Sequence, residues 1–213
     1  MEGRSQRMRE DICIRNITKS YGEKTVFTDL NLKIESGKIT CIMAPSGAGK
    51  TTLLRMMMGL EKPDSGIFTG LSGQRFSAVF QEERLCEGMT AVGNIRLVNP
   101  SLTPDRVGNE LQNFGMHHCE NQPVSELSGG MRRRVSILRA LLAEYDVLFM
   151  DEPFKGLDRA LKKDIIASVI EKTKGKTVIV VTHDWSEADL LRAEIINLPV
   201  NMSDRFGENT DEE

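Results

Sequence analysis

Short apolar runs and alternating segments recur along the chain, and stretches with helical spacing follow several of them. Such runs are typical of strands, whereas apolar residues spaced three and four positions apart indicate helices. The pattern predicts strands at Ile12–Ile17, Asn31–Glu35, Ile39–Met43, Gly66–Thr69, Phe76–Phe80, Val147–Met150, Thr177–Val181 and Glu194–Leu198. It predicts helices at Lys50–Met58, Thr103–Phe114, Gly130–Ala143, Arg159–Lys172 and Ser186–Arg192.

The order of these elements predicts a fold of the α/β class. Strands that are separated by helices imply a mainly parallel sheet with helices on both of its faces. The early strands are weaker and rich in turn residues, and they could instead pair antiparallel beside that sheet. Between Gln81 and Leu127 the chain has no strong strand signal, and prolines and glycines interrupt short helical pieces. We expect a small helical insertion there.

Composition and charge narrow the function further. A chain of 213 residues has room for one large α/β domain, and its net charge of −3 does not predict the broad positive surface that binds nucleic acid. The first residues, MEGRSQRMRED, lack the apolar segment of a secretory signal, and no apolar run approaches the roughly 18 residues of a spanning helix. We therefore expect a peripheral role at any membrane, no nucleic-acid partner, and flexible termini at residues 1–10 and 199–213.

A strand, a loop of small residues and a helix follow one another in ITCIMAPSGAGKTTLLRMMMG. Residues 44–51 have the pattern of a P-loop, with Ala44 where glycine is usual, and the alternative is an ordinary strand-to-helix turn. Small residues let successive backbone N–H groups face phosphate oxygens, and the next helix presents its positive end to them. Lys50 would reach the β- and γ-phosphates of a bound nucleotide, and the Thr51 hydroxyl would bind Mg²⁺. We expect Met56 to Met58 to fill the core.

Three later strands end in residues suited to phosphate chemistry. A buried strand leads into Asp151, which could bind Mg²⁺, and Glu152, which points differently and could accept a proton from an attacking water. The strand TVIVV delivers His183 to the same sheet edge, where open α/β sheets bind ligands and where the imidazole could donate to the γ-phosphate. Gln81 closes the strand FSAVF and could touch Mg²⁺ or the attacking water. Hydrolysis is the chemistry that these residues predict.

The chain carries a series of motifs in this order: Tyr21, APSGAGKTT, Gln81, LSGG, DEP, Leu157-Asp158 and His183. In this series it resembles the ATP-binding subunits of ABC transporters. The resemblance covers residues 11–198 and implies a single ATPase domain. It implies a recA-like P-loop NTPase core, an antiparallel β-subdomain, and a helical subdomain at about residues 82–142 that carries the LSGG turn. The stretches QEERL and DEPFKGLD look most like importer subunits of the nitrate, sulfonate and taurine group.

The resemblance also implies roles for individual residues. Tyr21 would stack on adenine, and Gln81 would sense Mg²⁺ and relay to a transmembrane partner. Glu152 would be the general base and His183 the γ-phosphate switch, while Asp158 would lie at the subunit boundary. Asp151 and Thr51 complete the predicted metal site with Gln81. The implied nucleotide-binding loop consists of Ala44, Pro45, Ser46, Gly47, Ala48, Gly49, Lys50, Thr51 and Thr52.

In the family that the chain resembles, the LSGG turn of one subunit closes over the nucleotide held by its partner's P-loop. Ser128 would supply a hydroxyl, and Gly129 and Gly130 would let the backbone and the positive helix end approach the γ-phosphate. Met131 departs from the glutamine of the family pattern, and because the backbone of the turn is more implicated than this side chain, we expect activity to survive. We expect residues 132–134, a run of three arginines, to form a solvated helix face; nucleic-acid binding is the alternative.

The motifs predict a Mg²⁺-dependent ATPase, and the resemblance implies that it is a subunit that powers import of a small solute such as a sulfonate, nitrate or a taurine-like compound. Its expected partners are a second ATPase subunit in a head-to-tail dimer, taken as a second copy, transmembrane permease subunits and, indirectly, a solute-binding protein. The expected location is the cytoplasmic face of the cell membrane. The alternatives are an ATPase of an exporter or lipoprotein-release system, and a soluble ABC ATPase of DNA repair or translation.

Overall fold

The structure is a computed structural model that describes residues 10–199, so nearly all of both predicted flexible termini lies outside the described residues. The strands are β1 (Ile12–Tyr21), β2 (Lys24–Ile34), β3 (Ile39–Met43), β4 (Ser65–Thr69), β5 (Phe76–Val79), β6 (Val147–Asp151), β7 (Thr177–Thr182) and β8 (Glu194–Asn197). The helices are α1 (Lys50–Met57), α2 (Ala91–Arg96), α3 (Pro104–Asn113), α4 (Gly129–Leu142), α5 (Arg159–Lys172) and α6 (Trp185–Leu191). A short 3₁₀ helix covers Val124–Glu126.

Two sheets organise the fold: the parallel sheet that the order of elements predicted, and the antiparallel sheet that was the alternative for the early strands. The larger sheet has the strand order β5-β6-β7-β3-β8, and each of its neighbouring pairs is parallel. The smaller sheet has the order β2-β1-β4 and is antiparallel. Since all strands of the larger sheet run the same way, the residues that follow β3, β5, β6 and β7 meet at one edge of it.

The two faces of the larger sheet carry two separate apolar clusters. Successive side chains of a strand point to opposite faces, so Val180 of β7 packs into one cluster and Val181 into the other. The first cluster joins the sheet to α4, α5 and the helical insertion, and the second joins it to α1 and the antiparallel sheet. Met56 and Met57 are buried in the second cluster, which confirms their predicted role as core filling.

The first hairpin is longer than its apolar pattern predicts. The predicted strands stop at Ile17 and resume at Asn31, whereas β1 continues to Tyr21 and pairs it with Lys24 of β2. Gly22 begins the connecting turn with a φ of 57°, a conformation that glycine adopts readily. The outer part of the hairpin is largely exposed, so backbone pairing rather than burial defines it and the apolar pattern does not reveal it.

The segment between Gln81 and Leu127 contains α2, α3 and the 3₁₀ helix, which agrees with the predicted helical insertion. The sequence did not predict α2, because a six-residue helix that contains Gly93 is too short to display helical periodicity. The Thr90 side chain caps it by accepting from the Gly93 N–H at 3.0 Å. Among the helices within residues 10–199, none is long and apolar enough to cross a membrane.

Candidate functional site

The loop between β3 and α1 is shaped by two glycines. Gly47 and Gly49 have φ values of 82° and 84°, and Gly49 is the residue from which α1 starts. A Cβ atom on Gly49 would lie 2.3 Å from Val26 Cγ1 and 2.7 Å from Phe27 Cζ, so only glycine fits there. Strand β2 therefore packs directly against the loop and links the antiparallel sheet to it.

Lys50 and Thr51 begin α1, and the side chain of Lys50 is buried. Lys50 Nζ donates to the carbonyl oxygens of Ala44 at 2.7 Å and Pro45 at 2.9 Å, and it lies 3.8 Å from Glu152 Oε1. Burial lowers the pKa of Lys50, while the charges of Glu152 and Asp151 oppose that shift. The ammonium group is thus anchored in the loop, next to the acidic end of β6.

The acid pair occupies two different environments, as the sequence predicted. Asp151 is the last residue of β6 and is buried, and its Oδ2 accepts from the Thr51 hydroxyl at 2.7 Å. Glu152 lies beyond the strand with a φ of 44°, the left-handed region that is uncommon for a residue with a side chain. Its Oε1 lies 2.9 Å from His183 Nδ1, and its Oε2 accepts from the Thr182 hydroxyl at 3.4 Å.

One cavity of about 390 Å³ brings most of these side chains together at the carboxyl edge of the parallel sheet. Its walls are Ser46, Gly47, Gly49, Lys50, Thr51, Thr52, Gln81, Asp151, Glu152, Lys155 and His183. Phosphate-loop residues thus share one cavity with the residues that end β5, β6 and β7. Tyr21, the turn of residues 128–130 and Asp158 are not among its walls. Lys155 is a wall residue that the sequence did not predict, although it stands only three positions after Glu152 in DEPFK.

Tyr21 is held with its ring half exposed at the end of β1. Its exposed fraction is 49%, its hydroxyl donates to Glu61 Oε1, and Lys19 Nζ lies 5.0 Å from the ring centroid. The hydrogen bond from Tyr21 lowers the pKa of Glu61, and Lys19 adds to that shift. A ring fixed in this way can offer a flat surface to a base.

We expect Tyr21→Ala to weaken ATP binding about 5- to 150-fold, because aromatic stacking on a base contributes about 1–3 kcal/mol. Binding of inorganic tripolyphosphate, which has no base, is expected to change little. Tyr21→Phe retains the ring and serves as the control. Calorimetric titration of both ligands would measure this, and equal weakening of ATP and tripolyphosphate would contradict a stacking role.

The burial of Asp151 predicts a conflict between stability and activity. Burial raises the pKa of Asp151, although the hydrogen bond from Thr51 opposes the shift. A folded-state pKa above the unfolded value means that the contribution of this group to stability falls as the pH rises through these values. At neutral pH the ionised carboxylate is therefore expected to destabilise the fold.

We expect Asp151→Asn to raise the melting temperature at pH 8 by about 2–4 °C, equivalent to about 1 kcal/mol, while ATP hydrolysis is lost. Asparagine cannot ionise, and it keeps an oxygen for the Thr51 hydroxyl. Thermal unfolding from pH 8 to pH 5 without nucleotide provides the check, since the difference between variant and parent should shrink as the pH falls. A variant that melts below the parent at pH 8 would contradict this account.

The turn before α4 is a capped helix start. Ser128 Oγ accepts from the Met131 N–H at 3.3 Å, and the Met131 side chain is half-buried against the first apolar cluster. The packing of Met131 explains how an apolar residue is accommodated there. Asp158, predicted at a subunit boundary, similarly caps α5 by accepting from the Leu161 N–H at 3.0 Å. Ser128 and Gly129 are exposed and lie outside the cavity.

The prediction that residues 132–134 form a solvated helix face is wrong. Arg133 is only 3% exposed, and Arg132 and Arg134 are partly buried. Arg134 donates to the carbonyl oxygens of Phe114 and Gly115 at the end of α3, at 3.1 and 2.7 Å. The signal that could have revealed this is helical spacing, because Arg133 shares a face with Ile137 and Ala140, which are buried.

Several known proteins are similar in sequence to this chain. A sulfate/thiosulfate import ATP-binding protein of Synechocystis sp. is 36% identical over 92% of this chain and 60% of its own length. An aliphatic sulfonates import ATP-binding protein of Rhodococcus jostii is 38% identical over 84% of this chain and 75% of its own. A spermidine/putrescine import ATP-binding protein of Fusobacterium nucleatum is 35% identical over 84% of this chain. The chain spans only 52% of that last protein.

A solved structure of an ABC transporter cassette has a similar fold. The dimeric structure of MJ0796, a bacterial ABC transporter cassette, superposes with a TM-score of 0.74 and 31% identity, covering 88% of this chain and 94% of that one. The characteristic ABC transporter sequence pattern matches residues 27–155, from β2 through the phosphate loop to the acid pair. Because this match covers more than half of the chain, and the Rhodococcus relative is similar over most of its length, the chain belongs to the ABC transporter family.

Proposed function

We propose that this chain is the ATP-binding and ATP-hydrolysing subunit of an importer. The observation that carries the proposal is the shared cavity, in which Lys50 and Thr51 face Gln81, Glu152 and His183. It is the arrangement expected for a bound triphosphate whose last phosphoryl group is attacked by water. The importer relatives support the direction of transport.

The residues present fit ATP and Mg²⁺. The glycines of the loop leave backbone N–H groups and the start of α1 available to phosphate oxygens. Thr51, Asp151 and Gln81 offer hydroxyl, carboxylate and amide oxygens, the hard donors that Mg²⁺ prefers, and these three residues would hold the ion. When bound, Mg²⁺ would neutralise charge on the β- and γ-phosphates.

The chain's own side chains would bind the phosphates, orient the attacking water and accept its proton. The Lys50 ammonium would bind the β- and γ-phosphates, and Glu152 would orient the attacking water and accept its proton. His183, 2.9 Å from the Glu152 carboxylate through Nδ1, would hold that carboxylate and contact the γ-phosphate with the rest of its ring. Gln81 would complete the water and metal contacts from the end of β5.

The exposed turn of Ser128 and Gly129 supports a composite site. It lies outside the cavity of its own subunit, at the start of the 14-residue helix α4, whose positive end is suited to an anion. We propose that this turn, in the helical subdomain at about residues 82–142, closes over ATP bound by a second copy. Two ATP molecules would then hold two subunits together in a head-to-tail dimer, with Asp158 at the subunit boundary. Hydrolysis of the ATP would let the two subunits separate.

A groove on the side of β5 supports the binding of a permease. This permease groove, as we name it, has a volume of about 810 Å³ and is lined in part by Leu60, Phe76, Val98 and Pro100. Leu60 and Val98 are 56% and 41% exposed. Exposed apolar side chains around one groove are typical of a binding surface. We propose that a permease segment docks there, at the cytoplasmic face of the membrane, beside α2 and the Gln81 loop.

An uptake experiment tests the proposed function and its solute. A strain that lacks this chain would receive the parent or Glu152→Gln, and uptake of labelled taurine, an aliphatic sulfonate, nitrate, sulfate and spermidine would be compared. We propose that the parent restores uptake of a sulfonate, nitrate or taurine-like solute and that Glu152→Gln does not. Restored uptake of sulfate or spermidine alone would reject this solute group while retaining import.

Co-purification separates the rival functions. An importer or exporter subunit is expected to bring down a polytopic membrane protein, and uptake distinguishes the two directions. Association with ribosomes or DNA, without a membrane protein, would favour a soluble ATPase of translation or repair. That outcome would overturn the proposed function.

A further inference from the structure

Arg133 of α4 lies behind the cavity and reaches two neighbouring strand ends at once. Its Nε donates to the Pro153 carbonyl oxygen at 2.8 Å, and its Nη2 donates to the carbonyl oxygens of Asp151, at 2.9 Å, and Glu152. Its Nη1 donates to the carbonyl oxygens of Phe80 and Gln81. A guanidinium group has five N–H donors, and all five are used on these main-chain acceptors.

These acceptors belong to the two segments that carry the proposed water-orienting residues. Phe80 and Gln81 follow β5, and the other three acceptors continue from the last residue of β6. One rigid, planar group therefore fixes the separation of the two segments, which the sheet no longer connects beyond its edge. A lysine, with a single nitrogen, could not span them.

The hydrogen bonds from Arg133 to the end of β6 and the two residues after it surround Glu152, whose backbone is strained. Glu152 has a φ of 44°, a conformation that costs free energy for a residue with a side chain and that surrounding contacts must maintain. Arg133 binds the carbonyl oxygens of this residue and of both its chain neighbours. Loss of these bonds would let the backbone of Glu152 relax and move its carboxylate relative to His183.

The same side chain connects these segments to the Ser128 turn. Arg133 lies in the second turn of α4, five residues after Ser128, so a movement of the helix start is carried to Arg133 through hydrogen-bonded helix. We propose that Arg133 is a positioning residue that sets the backbone of Gln81 and Glu152 and couples it to the turn that contacts a partner's nucleotide. This inference rests on the proposed function of the site.

The test compares two variants. Arg133→Met removes all five side-chain N–H donors, whereas Arg133→Gln keeps two side-chain N–H donors. We expect Arg133→Met to lower kcat for ATP about 10- to 100-fold with KM within about threefold of the parent, since small displacements of reacting groups cost rates of that order. Arg133→Gln is expected to recover most of the loss, to within about fivefold of the parent. A kcat for Arg133→Met near the parent value would overturn the proposal.

Arg139→Met is the matched control on the same helix. Arg139 also donates to main-chain oxygens, those of Arg84 at 3.0 Å and Glu83 at 3.3 Å, but makes no bond to the end of β6. We expect its kcat to stay within about threefold of the parent. If it lost as much activity as Arg133→Met, a general effect of helix packing would explain both and the proposal would fail.

Amide hydrogen exchange tests the positioning role of Arg133 without a measurement of ATP hydrolysis. In the ligand-free chain, Arg133→Met is expected to speed exchange in segments 80–83 and 152–155, while Arg139→Met leaves 152–155 unchanged. Unchanged exchange at 152–155 in Arg133→Met would overturn the positioning role. If the parent itself failed to hydrolyse ATP, the proposed function would fall, and exchange would still decide the role of Arg133.

Discussion

Replacing Glu152 by glutamine is expected to lower ATP turnover at least about 100-fold, the lower end of what a general base contributes, while ATP binding is retained. Glutamine has nearly the same shape and can still accept a hydrogen bond from His183, but it cannot take a proton from water. Nothing in the phosphate loop changes, so affinity for ATP should remain. Steady-state phosphate release and equilibrium binding of a fluorescent ATP analogue measure the two quantities separately.

The control for this prediction is Glu171→Gln. Glu171 is an exposed residue of α5, so its replacement removes the same charge away from the cavity and should leave turnover unchanged. Turnover of Glu152→Gln near that of the parent would remove Glu152 from the role of base. A parallel loss of ATP binding would instead indicate damage to the phosphate site.

Replacing Ser128 by arginine is expected to abolish ATP-dependent dimerisation while each monomer still binds ATP. The side chain is exposed and caps α4 outside the cavity of its own subunit, so a large side chain would obstruct only a second copy. The substitution also removes the hydroxyl cap and places a positive charge at the positive helix start, which is unfavourable. Light scattering with and without ATP, in the Glu152→Gln background that prevents hydrolysis, measures the effect.

The chain contains its own control for this experiment. Leu71-Ser72-Gly73 repeats the first three residues of the LSGG turn, and Ser72 is exposed before β5, at the sheet edge opposite to Gln81. Ser72→Arg therefore adds the same side chain in the same local sequence and should dimerise like the parent. If Ser128→Arg dimerised with ATP as well, the cross-subunit assignment of the turn would be wrong.

Strand ends were the most predictable part of the site. Apolar runs identify the central strands, and a parallel arrangement requires their carboxyl ends to share an edge. Gln81, Asp151, Glu152 and His183 could therefore be assigned to one location from the sequence alone, and one cavity contains all four. The loop pattern identified Gly49 as a glycine of the phosphate loop. It did not reveal that Val26 and Phe27 lie so close to Gly49 that no side chain fits there.

Side chains whose partners come from distant segments were not predictable. Arg133 stands in a basic run, which suggested solvent, yet its acceptors are 18 to 53 residues away in the chain. The outer part of the β1–β2 hairpin was missed because backbone pairing rather than burial defines it. The helix α2 was missed because six residues are too few to display a helical period, although its Ala91 and Ile95 are buried in the first apolar cluster.

Most of the strands and helices, the phosphate loop and the chemical groups that end each strand could be predicted from the sequence, because they depend on local spacing and residue type. The packing of β2 on the phosphate loop, the burial of Asp151 with its hydrogen bond from Thr51, and the bonds from Arg133 to the segments after β5 and β6 are visible only in the folded structure. Each of these depends on which distant groups surround a side chain, and burial and hydrogen-bond satisfaction are properties of the packed fold.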